Sequence, residues 1–171
     1  MKPLIRTNDC MKCQHHCCYF QKKDAYFAPI LTKEEAQQLG RRFLVKVKGS
    51  SSVYQIKLIK SKFKKGYLVC PFFDEKSSLC LIYKKRPLDC KLWPVVIAYS
   101  KNRKKIEIVC AKKNYYPRLK QINKKEFEIY KNNIVQFLNK REIIKRLYKY
   151  PETIWNYEKD YFKIGEINLV S

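Results

Sequence analysis

Residues 10–18 read Cys10-Met-Lys-Cys13-Gln-His-His-Cys17-Cys18, four cysteines in nine residues. The Cys10-x2-Cys13 step is the spacing with which two thiolates close on one ion. Cys10, Cys13 and Cys17 stand at i, i+3 and i+7, so on a helix the three sulfurs share one face. Three convergent thiolates suit a metal or cluster that takes a further ligand from elsewhere in the chain. Cys18 adjoins Cys17, and neighbouring side chains point in different directions in both helix and strand. The pair therefore serves one ion only across a sharp backbone turn; otherwise it feeds two metals or leaves one thiol free. His15 and His16 lie inside the same knot, either as imidazole ligands or as groups beside the ligands.

The remaining cysteines are Cys70, Cys80, Cys90 and Cys110. Cys70 precedes Pro71, Cys80 follows the turn Asp74-Glu-Lys-Ser-Ser, and Cys90 closes Arg86-Pro-Leu-Asp-Cys90. These read as loop positions, where thiolates are easily oriented. Cys110 ends the apolar run Ile106-Glu-Ile-Val and is the weakest candidate ligand. The opening MKPLIRTNDC lacks the apolar run of an export signal, and no stretch of 18 apolar residues exists to span a membrane. The expectation is a cytoplasmic protein, in which cysteines serve metal binding or redox chemistry rather than disulfides. Eight cysteines allow two four-cysteine sites, or one cluster with a companion site.

Around the cysteines the sequence predicts an α+β fold. A small antiparallel β portion carries irregular metal-binding cysteine loops, followed by a C-terminal helical segment. Thr32-Lys-Glu-Glu35 is a capping box opening a short helix that stops near Gly40. Val53 to Ile59 alternates as a half-buried strand, with Tyr67 to Cys70 as its expected neighbour. Trp93–Tyr99 and Ile106–Cys110 flank Ser-Lys-Asn-Arg-Lys-Lys and predict a hairpin. Asn123 and Glu126 form a second cap pair, and Phe127, Tyr130, Ile134, Phe137 and Leu138 fall on one helical face. An amphipathic pattern continues through Leu147 and Tyr148 until Pro151, with Ile154, Trp155, Tyr161 and Phe162 beyond it. The expected organisation is a cysteine-cluster region over residues 1–120 and a helical extension over 121–171 packed on it, one domain in all.

The 171 residues carry 38 Lys and Arg against 15 Asp and Glu, a formal net charge of +23, and are 46% hydrophobic. That hydrophobic share excludes a disordered chain. The positive field suits an acidic protein or a nucleic acid as partner. The cations recur between apolar segments, as on solvated turns and helix faces, rather than in one stripe.

The ordered combination of motifs resembles the YkgJ-like cysteine-cluster (CxxCxxCC) family, described as zinc- or iron-chelating. The family's C-x2-C-x2-C-C knot corresponds to Cys10 to Cys18, here with three residues between Cys13 and Cys17 and Gln14 in place of a common glycine. Its Cys-Pro-Phe segment corresponds to Cys70-Pro-Phe-Phe, its Cys followed by Tyr to Cys80-Leu-Ile-Tyr83, and its Arg-Pro-x-x-Cys step to Arg86-Pro-Leu-Asp-Cys90-Lys-Leu-Trp-Pro94. The resemblance covers about residues 10–110. It implies a metal site drawing on Cys10, Cys13, Cys17, Cys18, Cys70, Cys80 and Cys90, to which the count of eight adds Cys110, holding zinc or an iron–sulfur cluster such as 4Fe–4S; both accept four thiolates. Arg86 and Tyr83 are expected beside the sulfurs. Asp74 and Asp89 are the nearby acids, for which turn and capping roles are favoured. Two alternatives remain. One is a zinc-stabilised basic nucleic-acid-binding module. The other is a methyl-transfer or redox enzyme related to the flagellin lysine methylase type, which the family includes.

Overall fold

The computed structural model describes residues 17–112, 122–156 and 161–168. The chain divides into two units, one ending at Lys91 and the other beginning at Leu92. Small antiparallel sheets combine with helices in an α+β fold that includes a C-terminal helical segment. Among the described residues no helix is long and apolar enough to cross a membrane.

The first unit is a set of very short strands. β1 (Tyr19–Gln21) follows the cysteine pair directly, and β2 (Ile30–Thr32) leads into helix α1 (Lys33–Gln37). The capping box forms as the sequence predicts. Thr32 Oγ1 accepts from the Glu35 N–H at 3.4 Å, and a Glu35 carboxylate oxygen accepts from the Thr32 N–H at 3.0 Å. Gly40, at φ +81°, turns the chain out of the helix in a conformation that favours glycine. β3 (Leu44–Lys46), β4 (Val53–Ile56), β5 (Ile59–Lys60) and β6 (Tyr67–Val69) follow, then β7 (Phe73–Asp74) and β8 (Leu79–Cys80). Helix α2 (Leu88–Leu92) comes last.

The sheets run β2-β4-β3 and β1-β6-β5, with β7-β8 as a separate hairpin. The single strand expected over residues 53–59 is thus divided. Only its tail, Ile59–Lys60, pairs with β6, while Val53–Ile56 sits between β2 and β3. Alternation along a segment identifies extended chain but not the point at which it changes sheets. Leu31, Leu39, Ile56, Val69, Cys70, Phe72 and Phe73 form the unit's core, with Cys18 and Tyr19 packed against it.

The second unit is built on one three-stranded sheet. β9 (Val95–Tyr99) and β10 (Ile106–Ala111) form the expected hairpin, in register from Ile106 opposite Tyr99 to Cys110 opposite Val95. Helix α3 (Lys124–Leu138) begins where Asn123 Oδ1 accepts from the Glu126 N–H at 2.8 Å. Its buried residues Tyr130, Ile134 and Leu138 recur at the spacing of one helical face. Helix α4 (Arg141–Lys149) buries Ile143 and Leu147 and ends before Pro151. A strand unforeseen in the sequence follows the helices: β11 (Tyr161–Glu166) adds to the outer edge of β10. Gly165 makes the approach of helix to strand possible, since a Cβ there would meet Val135 Cγ2 at 2.6 Å.

Candidate metal centre

The pair Cys17-Cys18 leads straight into β1, whose residue Tyr19 opposes Val69 at the end of β6. The register brings Cys18 alongside Cys70, and the Cys70 N–H donates to the Cys18 carbonyl at 3.0 Å. Pro71 then sits at the second position of a turn closed by the Phe73 N–H on the Cys70 carbonyl at 3.0 Å, as proline's fixed φ favours. Across the β7–β8 hairpin Cys80 opposes Phe73. The hairpin turn is ordered by Asp74, which accepts from the Lys76 N–H at 3.1 Å and the Ser77 hydroxyl at 2.5 Å.

Cys80 and Cys90 differ from their expected loop positions: Cys80 ends strand β8, and Cys90 lies within helix α2. Two long-range carboxylate bonds hold that five-residue helix, one to Glu35 and one from its own Asp89. Glu35 Oε1 accepts from the Leu88 N–H at 2.7 Å, satisfying a donor at the helix start that has no partner within the helix. Asp89 Oδ2 accepts from the Ile30 N–H at 2.9 Å. β2, α1 and α2 are thereby cross-linked by bonds spanning 59 and 53 residues. Asp74 thus has the turn role favoured for it, whereas Asp89 makes a long-range bond to β2 in place of the turn or capping role expected.

The five described thiols of this unit alter one another's ionisation. A side-chain hydrogen bond with Cys18 holds the Cys17 thiol below its ordinary value; burial works against it, and the Arg86 guanidinium assists. Cys17 itself is exposed. The same bond, together with burial and the neighbouring Cys17, Cys70 and Cys90, pushes Cys18 well above its ordinary value. Burial pushes Cys70 up to about 12, with Cys80 and Cys17 adding to it and the Phe72 N–H partly offsetting it. Cys90 is also well raised, first by burial, then by the Asp89 carboxylate and by Cys70, Cys17 and Cys80. For Cys80 burial is again the largest cause of an upward shift, moderated by the Ile82 N–H and Arg86. Arg86 is fixed by its own neighbour, with its guanidinium 3.9 Å over the Tyr83 ring and its Nε donating to the Tyr83 carbonyl at 3.2 Å. One cation thus favours the thiolate form at both Cys17 and Cys80.

Among the described residues, no three or more His, Cys, Asp or Glu side chains are closed up as a ready metal-binding group. Cys10, Cys13, His15 and His16 lie outside the described residues. Cys110 belongs to the second unit, in the middle strand of its sheet, fully buried, with burial pushing its thiol up to about 12. By donor chemistry the five thiols of the first unit fit zinc or iron, since soft thiolates select those metals and a bound cation favours the thiolate form that burial disfavours.

Sequence reasoning missed Glu75. It accepts from the Tyr19 hydroxyl at 2.7 Å, from the Lys62 N–H at 3.0 Å and from the Ser61 hydroxyl. One carboxylate so ties β1, the turn after β5 and the β7–β8 turn together. Glu35 was visible as a capping residue, but its second bond to Leu88 carries no local signal.

No curated protein and no solved structure gives a significant match to this chain. A family model does match, over residues 9–127, a span that contains all eight cysteines. Its description is "Putative zinc- or iron-chelating domain". The matched span takes in the knot, the Cys-Pro-Phe turn, the hairpin carrying Cys80 and the helix carrying Cys90, and the chain belongs to the CxxCxxCC family.

Proposed function

We propose that the unit ending at Lys91 holds zinc or an iron–sulfur cluster through Cys10, Cys13, Cys17, Cys18, Cys70, Cys80 and Cys90, and that Cys110 is a core thiol outside the site. The supporting observation is the set of five thiols, drawn from four separate segments, each shifted by others of the set. Neutral thiols crowded in this way exchange protons for a cation, so uptake releases protons and strengthens as pH rises. The centre is structural in this reading. Strands of two to four residues bury little on their own, and short, loop-rich units gain much of their stability from a bound metal.

The test is metal analysis and visible absorption of protein prepared without oxygen. Brown protein with charge-transfer absorption assigns an iron–sulfur cluster, and colourless protein with stoichiometric zinc assigns the ion. Cys90→Ser is expected to weaken metal retention against a chelator by more than about tenfold, the scale of perturbing one element of a metal site. Cys110→Ala is expected to leave metal content unchanged. Unchanged stoichiometry and retention in Cys90→Ser would remove that residue from the ligand set.

A further inference from the structure

The second unit carries a groove of about 220 Å³ between the β9–β10 turn and the end of α4. Its floor is apolar, from Ile106, Leu147 and Ile154, all buried. Tyr148 lines it while remaining 60% exposed, a large aromatic surface left in water. Arg103 and Lys104 line the groove as well. They sit on a turn with fixed geometry. The Arg103 N–H donates to the Ser100 carbonyl at 2.7 Å, the Lys104 N–H to Asn102 Oδ1 at 3.1 Å and the Lys105 N–H to Ser100 Oγ at 3.1 Å. The Arg103 guanidinium lies 4.7 Å over the Tyr99 ring, which holds the charge at the groove rather than loose in solvent. Lys105 is paired with Glu166 at 3.3 Å.

We propose that this groove binds single-stranded nucleic acid, with one unstacked base against Tyr148 and the apolar floor and the adjoining phosphates on Arg103 and Lys104. The volume is below the about 300–1,000 Å³ of pockets that enclose a drug-sized ligand, so it suits one planar ring rather than a whole cofactor. An aromatic face beside cations is the arrangement by which proteins take single strands without base-specific hydrogen bonds. A duplex keeps its base faces stacked on one another, so it has no free ring face to offer the floor or the tyrosine. An acidic peptide would use the cations and leave the ring slot without a role. The net charge of +23 draws any polyanion toward the chain, and the groove gives that attraction a place to end.

The experiment follows the fluorescence anisotropy of a labelled oligothymidylate with the full chain at about 50 mM and about 200 mM salt. Binding is expected at the lower concentration and is weakened at the higher. Tyr148→Ala should weaken it about tenfold, within the effect of losing one stacked base, and Tyr148→Phe should restore it. Arg103→Ala with Lys104→Ala should reduce the slope of log K against log salt by about 1.4, at about 0.7 per phosphate contact on a single strand. Lys22→Ala with Lys23→Ala removes the same charge from exposed positions in the other unit and should change binding less than about twofold. Any of four results would overturn the proposal: no binding at low salt, equal loss in the Lys22/Lys23 variant, tighter binding of a duplex, or displacement by polyglutamate with Tyr148→Ala unaffected. The site contains no cysteine, so its failure leaves the metal reading standing, and Cys90→Ser metal loss leaves this one standing.

Discussion

The described residues of the unit ending at Lys91 and of the unit beginning at Leu92 reach order by different physical routes. The second unit has a three-stranded sheet with β10 in its middle and two amphipathic helices, and its buried positions are almost all aliphatic. Burial of that kind is non-directional and tolerant of small shifts. The first unit has short strands in separate sheets, joined by three carboxylates that reach across the chain to backbone N–H groups and hydroxyls: Glu35, Glu75 and Asp89. Such bonds are directional, and each buried donor that loses its acceptor costs about 1–3 kcal/mol. An apolar core specifies a shape; a carboxylate lattice specifies where particular atoms go. The thiols sit in the unit built by the second method, where placing atoms is what a metal centre requires.

Substitutions confined to one unit break or sharpen this contrast. The largest effect is expected for Gly165→Val, which forces β11 against Val135, a short β-branched side chain with little rotamer freedom on a helix. A loss of about 3 kcal/mol is expected, at the upper end of overpacking costs, read by denaturant unfolding. Amide exchange should rise in β9, β10, β11 and α3 and not in β2 or β4; an equal rise in both units would show that they unfold as one. Glu35→Ala removes the acceptor for Leu88 and for Thr32 together and is expected to cost about 2 kcal/mol. Its amide exchange should rise at Ile30 to Gln37 and Leu88 to Leu92, and the Cys90 thiol of metal-free protein should alkylate faster than in wild type. Unchanged Cys90 reactivity would mean that Glu35 caps α1 and nothing more.

The smallest effect is a pH dependence. Burial works to raise the Glu75 pKa, but hydrogen bonds from Ser61, the Lys62 N–H and Tyr19 outweigh it and hold the carboxyl below its ordinary value of 4.5. A depressed folded-state pKa means that Glu75 contributes fully above its unfolded value and loses that contribution as pH falls through the lower folded one. Glu75→Gln should therefore flatten the loss of stability on acidification below about pH 4.5, by under about 1 kcal/mol because the group is largely solvated. Identical acid denaturation curves for variant and wild type would remove Glu75 from the lattice.

The parts of the fold legible in the sequence are those whose causes lie within a few residues. Thr32 and Glu35 cap each other three residues apart, Asn123 caps the Glu126 N–H at the same spacing, and the β9–β10 hairpin shows in apolar runs flanking a polar turn. The ordered motifs around Cys10–Cys18, Cys70, Cys80 and Cys90 were enough to point to the family that the chain belongs to. What remained hidden has causes far away along the chain. Helix α2 is held by Glu35 from 53 residues upstream, so Arg86-Pro-Leu-Asp-Cys90 reads as a loop when taken alone. The split of residues 53–60 between two sheets depends on which partners arrive, and β11 looks like the tail of a helical region until β10 offers it an edge.

The hydrogen bond from the Cys70 N–H to the Cys18 carbonyl closes a long span of polypeptide before any sulfur ligand is counted. In an unfolded chain, bringing such distant points together lowers entropy by an amount that grows with the logarithm of their separation. Strand pairing between β1 and β6 has already met that cost, so an ion bound as proposed would meet Cys18 and Cys70 on adjoining strands rather than as strangers on a random coil. Its affinity would then reflect local rearrangement of side chains far more than the search of a polymer for its own ends.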